Sequence, residues 1–501
     1  MRISSQVFFQ RNTQSVFNNQ SELSEKNIHL STQKRVINGS DDAVAIATIQ
    51  RLKQDLSMAD QHVQNGEMAE TANALESISL AQSTNILQRM RELMVSSGNA
   101  TYSADGREAI ATELKHLREE LIGVANTKDG NSQYIFSGFE VDTLPFQKNE
   151  FGTIEYHGDE GDTSYQIGPG VTIQGNDPGS AIFMQVPEGN GSFVAEANPN
   201  NSGSGVLDVA SIIDSKVASQ FPDQDYNISI SETLPVGTKK YSVYSTAEQS
   251  VTGSASIKIS KVDLTDANIG SVNPNSVYPA AGSDVSIDFV ATLVPGEFEV
   301  RINNQSSLPS IYNANNPQQE ITVNGISIEV SGMPSNGDQY KMTKYIEPTT
   351  YEEGQSIEFN GIKTKLKGQV NEFDSFSLRQ SGTKDIFSTI QDAIDALMMP
   401  GDDNGPTAQR EMRLDTVRHQ IDNTMQNVST VVTSVGARRR TIINQHESTL
   451  DFKLTNQKTL SNLEDLDMAS AISEFKMQMS LLEITQQTFM QMQSLSLFKL
   501  L

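Results

Sequence analysis

Six histidines (His29, His62, His116, His157, His419 and His446) are the most versatile acid–base and metal-binding groups in the chain, and they are scattered. None has a histidine or carboxylate at the spacing of a recognisable metal or hydrolase motif, so each is expected to be a surface or structural side chain. Cysteine is absent, which removes disulfides and thiolate metal sites and leaves the chain indifferent to redox compartment. Phe221-Pro222-Asp223-Gln224-Asp225-Tyr226-Asn227 opens like a calcium loop. Its sixth position, however, is Ile228 where a glycine must turn the chain, and its twelfth is Leu234 where a bidentate Glu is needed. A solvated turn fits that segment better. Gly189-Asn190-Gly191-Ser192-Phe193 has the glycines of a phosphate cradle but no lysine and no following helix. A nucleophilic serine in a strand–turn–helix context is missing. Arg438-Arg439-Arg440, the only basic run, reads as a solvated helix face paired with acids. These residues define no catalytic, cofactor or metal site, and an enzyme is not expected.

The 501 residues suffice for roughly three ordinary domains. Their formal charge is −25, and residues 140–380 alone contribute 13 basic and 31 acidic side chains, a net −18. Like charges repel and stay hydrated, so this acidic middle suits an outward-facing part, whereas the near-neutral ends can lie against copies of themselves. Nucleic acid is excluded as an expected partner for want of a basic patch. No run of 18 apolar residues exists, so no membrane insertion is expected. Met1 to Gln10 lacks the apolar core and cleavage site of a Sec-type signal.

The elements that must carry this chain are written in two periods. From about residue 43 to 127 the pattern is helical, opened by Ser40-Asp41-Asp42 as cap and first-turn acids. Ile86, Leu87, Met90, Leu93 and Met94 form one stripe, and Ile110, Leu114, Leu117, Leu121 and Val124 a second after the break at 98–106, which predicts two antiparallel helices. Ile386, Ile390, Ile394 and Leu397 mark a short helix that stops at Pro400-Gly401. Beyond Pro406, Ile421, Val428, Val435 and Ile442 recur every seven residues with Met425 and Val432 between them, a coiled-coil seam. The middle, by contrast, alternates with period two, as in 226–231 and 256–260, and is rich in turn residues. Within it Ile321, Asn324, Gly325, Ile326, Gly332, Asp338, Tyr340 and Met342 recur 36 residues later as Ile357, Asn360, Gly361, Ile362, Gly368, Asp374, Phe376 and Leu378. Asn-Gly favours a type I′ turn, so two tandem hairpins are expected. The fold class is therefore mixed α and β: long N- and C-terminal helices form a shared coiled-coil bundle, with a central all-β, sandwich-like head.

The ends resemble bacterial flagellins and their hook-associated relatives. Leu30-Ser31-Thr32-Gln33-Lys34-Arg35-Val36-Ile37-Asn38-Gly39-Ser40-Asp41-Asp42 is similar to the flagellin signature, with Gln33 where flagellins usually carry Gly and Ala43-Val44-Ala45 where they carry Pro-Ala-Gly. Residues 471–501 resemble the flagellin C-terminal helix, with Met477, Met490 and Met492 at positions usually Gln or Ala. Within the superfamily, residues 125–139, Leu144-Pro145-Phe146, Asp385-Ile386-Phe387 and 189–193 resemble the hook-associated protein 3 family, the hook–filament junction proteins. The resemblance implies a structural, extracellular flagellar component, exported by the flagellar type III apparatus without a cleaved signal and handled by an export chaperone. Its implied partners are copies of itself in a ring, the first hook–filament junction protein and flagellin. A flagellin-type filament subunit, or an adhesin or carbohydrate-binding head on a flagellin-like stem, are the alternatives.

This implies segments 1–42 for an N-terminal assembly and export region, 43–139 and 381–464 for the helical bundle, 140–380 for the head and 465–501 for a C-terminal assembly helix. Phe9, Val16, Leu23, Leu30 and Ile37 stand seven apart with polar Thr13, Gln20 and Asn27 between them. Half a seam buries too little apolar area to hold an isolated helix, so these ends are expected to order against neighbours. Ile472, Phe475, Met479, Leu482 and Phe489 form one helical face and, with the five N-terminal residues, are the expected assembly interface.

Overall fold

The computed structural model describes residues 2–97, 103–221, 224–233, 238–262, 284–302, 311–316, 319–323 and 326–498. Three helices come first: α1 (Arg2–Thr32), α2 (Ala43–Ser97) and α3 (Ala104–Ala125). Two hairpins follow, β1 (Phe146–Lys148) with β2 (Ile154–Tyr156), and β3 (Ser164–Gly168) with β4 (Val171–Gln174). A π-helical turn at Ser180–Met184 leads to β5 (Val186–Pro187), β6 (Phe193–Ala197), β7 (Val206–Leu207), β8 (Ser211–Ile212) and the single turn α4 (Ser215–Ala218). Next come β9 (Asp225–Thr233), β10 (Thr238–Ser250), β11 (Ser256–Val262), β12 (Asp284–Ala291), β13 (Glu297–Ile302), β14 (Ile311–Asn313), β15 (Gln319–Val323) and β16 (Ile326–Ser331). The last strands are β17 (Gln339–Thr350), β18 (Ser356–Phe359), β19 (Ile362–Lys367), β20 (Ser375–Gln380) and β21 (Thr383–Lys384). Helices α5 (Ile386–Met398), α6 (Asn404–Glu464) and α7 (Met468–Phe498) close the chain.

The chain divides into two compact units. One gathers Met1–Thr71, Ser164–Gly175 and Ala437–Leu501. Here Asp42 caps α2, accepting from Ala45 N at 2.9 Å, while Asp41 turns back to accept from Ile37 N and Asn38 N, each at 2.9 Å. The expected first-turn acids thus stand before the helix instead, Asp42 as its cap and Asp41 in the preceding turn. The start of α2 meets the end of α6 through Val36, Ala45 and Ile49 with Leu460 and Leu463. Further along, Ala69 and Ile442 are closed over by Tyr165, Ile167, Val171 and Ile173 of the β3–β4 hairpin. Composition had assigned that hairpin to the head; packing gives it to the helices. Arg439 of the basic run donates to Glu70 at 2.6 Å, the acid-paired role expected of it.

The other unit gathers Ala72–Thr163 and Asn176–Gly436. Its helical core joins the α2 stripe, Ile110, Leu114 and Leu121 of α3, all four expected residues of α5, and Ile421, Val428 and Val435 of α6. Arg89 of α2 donates to Glu113 of α3 at 2.8 Å, across the expected helix pair. Asp385 caps α5 by accepting from Ser388 N at 2.7 Å. Past the Pro400-Gly401 stop, the Arg410 guanidinium donates to Met399 O at 3.2 Å and Gly401 O at 2.6 Å.

Phe136, Phe146 and Phe387, from three of the segments that resemble the hook-associated protein 3 family, plug this core together with Phe183. Phe136, Phe146, Phe183 and Phe387 are fully buried, with ring centroids of neighbouring pairs 5.4–6.0 Å apart. Gly138 has φ +71 and a Cβ there would lie 1.9 Å from Asp159, so only glycine fits. In 189–193, Asn190 Oδ1 accepts from Ser192 N and Phe193 N at 3.0 and 2.9 Å and turns Phe193 inward. That glycine cluster is a turn, as its missing lysine implied.

The β-rich region is one eight-stranded antiparallel sheet, ordered β14-β13-β12-β17-β10-β9-β20-β6, with two small sheets against it. These are β11-β16-β15 and β18-β19-β7, with β8 also pairing β19. Each small sheet encloses a separate apolar core with the large one. Both expected hairpins form, as β15–β16 and β18–β19. Asn360 and Gly361 have φ of 46° and 73°, both positive as a type I′ turn requires, and the equivalent Asn324-Gly325 lies outside the described residues. Pro222, Asp223 and Leu234 of the calcium-like segment also lie outside them.

Candidate assembly interface

α1 and α7 lie antiparallel. Asn19 Nδ2 donates to Thr485 Oγ1 at 3.0 Å, Gln478 Nε2 to Glu22 Oε2 at 2.5 Å, and Lys26 Nζ to Glu474 Oε2 at 2.6 Å, so partner numbers fall as α1 advances. Among the described side chains, those turned from solvent are Asn12, Thr13, Ser15, Val16, Asn19, Leu23, His29 and Leu30 on α1, and Ala471, Phe475, Gln478, Leu482, Thr485 and Phe489 on α7. Steps of three and four along α7 make a heptad seam. Gln478 and Thr485 interrupt the apolar layers, however, so the pair is held by apolar contacts and side-chain hydrogen bonds together.

This arrangement revises the expected interface. Val16, Leu23 and Leu30 face α7, while Ile37 is half-buried beyond the end of α1 and the Phe9 side chain lies outside the described residues. Of the expected polar positions Thr13 is half-buried, as are Asn12 and Asn19, whereas Gln20 and Asn27 are exposed. On α7, Phe475, Leu482 and Phe489 face α1, but Ile472 and Met479 are 42% and 45% exposed. Residues 472 and 479 form one heptad column and 475 and 482 the next, and α1 covers only the second. The partner expected from neighbouring copies is thus supplied in part by the chain itself. What remains uncovered is an outer apolar strip: Met477, Leu481 and Ile484 are 68%, 47% and 59% exposed, at i, i+4 and i+7.

The connectors beside this pair are tied together. Arg35 N donates to Glu464 O at 2.7 Å and Leu466 N to Gln33 O at 3.0 Å, which couples residues 33–35 to 464–466. Glu464 is buried and accepts from Lys34 Nζ at 2.5 Å and Lys53 Nζ at 2.8 Å. Burial pushes its carboxyl up, but the hydrogen bonds from Lys34 and Lys53 outweigh burial and hold it below the ordinary carboxylate range. Separations of 411 residues and more hide this triad from any local reading. Gln33, at the flagellin glycine position, has φ +59, the left-handed conformation that glycine adopts freely.

The fold also groups Glu25, His29 and Asp41, whose ligand atoms lie within 4.8 Å of one another. Spacing did not bring these together, because Asp41 stands beyond the end of α1. Their hydrogen bonds already have local uses. His29 Nδ1 lies 2.8 Å from Lys34 O, and backbone hydrogen bonds from Asn38 and Ile37 hold the Asp41 carboxyl below its ordinary range.

Residues 3–140 match the bacterial flagellin N-terminal helical region. Flagellar hook-associated protein 3 of Salmonella typhimurium is 34% identical over 197 residues, covering 38% of this chain and 61% of that protein. The same protein of Escherichia coli is 31% identical over 218 residues, covering 44% of this chain and 66% of that protein. In these alignments the chain spans less than two thirds of either relative's length. The flagellar junction protein FlgL from Legionella pneumophila matches in structure with a TM-score of 0.58 at 22% identity, over 83% of this chain and 100% of that one. The buried plug residues Phe136 and Gly138 lie inside the matched N-terminal region, as does the inward seam of α1. Residues 3–140 are therefore similar to the bacterial flagellin N-terminal helical region, and the chain has the fold of a flagellar junction protein.

Proposed function

We propose that this chain is a non-enzymatic, extracellular building block of the bacterial flagellum that forms the ring joining hook to filament and adapts the mechanics of one to the other. The observation that carries this reading is the α1–α7 pair: its inner seam is half polar and its outer face is apolar. Such a pair holds together within one copy yet gains most from burial between copies. The outer strip, Met477, Leu481 and Ile484, is then the principal interface with neighbouring copies in the ring, with the first hook–filament junction protein and with flagellin. Phe475, Leu482 and Phe489 shape it from behind. A weakly held helix pair also suits passage through the flagellar type III exporter, with an export chaperone covering the apolar strip beforehand. Similarity to hook-associated protein 3 supports the junction over the filament.

The match of residues 3–140 to flagellin favours a second reading, a filament subunit. Immunogold labelling of purified flagella separates the two. A junction component gives one band between hook and filament, and a deletion strain sheds filament protein from bare hooks. Label along the whole filament would establish the second reading instead.

A further inference from the structure

The head is built twice from one plan. The hairpin repeat at 36 residues is only its visible part. The strand lying across each hairpin matches at an offset of 50. Ser256 pairs with Ser331 and Ile257 with Val330, as Val206 pairs with Lys367 and Leu207 with Leu366. Lys261 and Val262 pair with Ser327 and Ile326, as Ser211 and Ile212 pair with Lys363 and Ile362. A third segment matches at an offset of 59. Ile287 lies between Tyr340 and Ile302, as Ile228 lies between Phe376 and Val243.

Side-chain geometry repeats at the offsets of 36 and 50, and at 39 for one tyrosine pair. Asp338 accepts from Ser335 N at 2.7 Å, Thr252 N at 2.8 Å and Gly253 N at 3.2 Å. Asp374 accepts from Asn371 N at 2.7 Å, Ser202 N at 2.9 Å and Gly203 N at 3.2 Å. Gly332 and Gly368 have φ of +83° and +78°, and a Cβ on either would strike the carbonyl of Ser254 or Ser204 at 2.3 or 2.2 Å. Tyr312 and Tyr351 donate to the carbonyls of these same two glycines, each at 2.5 Å. Identical anchoring through three different offsets is not a by-product of two hairpins.

We infer that the head is one β module present twice, the second copy nested inside the first, and that each copy folds on its own core. The outer copy consists of β6 to β9, the first half of β10, the second half of β17, and β18 to β20. The inner copy runs from the second half of β10 through β11 to β16 and ends in the first half of β17. It enters the outer copy at the connection that corresponds to the one between β13 and β14. This explains why β10 and β17, at 13 and 12 residues, are the longest strands: each serves both copies. The two copies keep separate apolar cores, and the outer one packs on α6 through Met412.

Tyr244 and Lys344 are cross-strand partners, so residues 245–343 can be replaced in the full chain by Asn-Gly as a two-residue turn. Amide exchange in β9 and β18 to β20 should then stay within about threefold of the intact chain. Loss of protection throughout the outer copy would overturn the inference. A second test leaves the chain length intact. Asp338→Ala should speed exchange at least about tenfold in the inner copy only, and Asp374→Ala in the outer copy only. If each variant loosens both copies alike, the head is one folding unit and the inference fails.

Discussion

Gln33 holds φ +59 directly after α1, where an L side chain is disfavoured by about 1–2 kcal/mol and glycine is not. Glycine loses more chain entropy on folding, which offsets part of that gain. Gln33→Gly should therefore stabilise the connector by about 0.5–1 kcal/mol, read as a higher denaturant midpoint at unchanged slope. A lower midpoint would show that the Gln33 side chain contributes more than its backbone costs. Glu464 sets a second expectation. Its carboxyl is held below 4.5, so the stability it contributes is complete above the unfolded value and is lost as pH falls through the folded one. Unit stability should decline below about pH 4.5, and Glu464→Gln should flatten that decline while costing about 1 kcal/mol at neutral pH, the partners being half exposed. An unchanged acid limb in the variant would assign the loss to other carboxylates.

At the scale of elements, α7 has two faces with different tasks. Phe475→Ala with Leu482→Ala removes half-buried contacts to α1, so monomer protection of both helices should fall together with assembly. Met477→Ser, Leu481→Ser and Ile484→Ser alter exposed positions, where substitutions usually shift stability by less than about 0.5 kcal/mol. This triple variant should leave the monomer's melting curve in place and abolish filament attachment. Normal attachment would refute the outer strip as the interface. The heptads of α6 were legible because Ile421, Val428 and Val435 all meet one core inside one helix. The division of α7 was not. Period alone shows an apolar face 100° wide, but which column α1 covers depends on the angle at which the connectors deliver it.

For the whole molecule, the relevant boundary is where the head can be removed. Phe146, Ile154 and Phe183 belong to the helical core, so deleting 146–378 would open a cavity there. Ser381 N donates to Ser192 O at 3.0 Å, which brings the two ends of the segment 193–380 together. Replacing residues 193–380 with a short Gly-Ser linker should give a secreted, stable chain that still supports filaments. A stable, exported deletion without filaments would assign the head an assembly role beyond display of an acidic surface.

Within this chain, much that is set by neighbours a few residues apart was readable in the residues themselves. Stripes, the Pro400-Gly401 stop and the Asn360-Gly361 turn are local consequences of periodicity and φ preference. The signature around Leu30–Asp42 marked the flagellin-type end for the same reason, since its turn is held by Asp41 and Asp42 within four residues. Tertiary structure decided what joins distant segments. It placed β3–β4 on Ala69 and Ile442, carried Glu464 to Lys34 and Lys53, and turned one column of α7 inward. It also completed a repeat whose contiguous half shows in the sequence at 36 residues. The rest is displaced by 50 and 59, because the inner copy interrupts the outer one and the intervening connections differ in length. Pairing across such gaps rests on long-range burial and hydrogen bonding, for which no short window of sequence carries a signal.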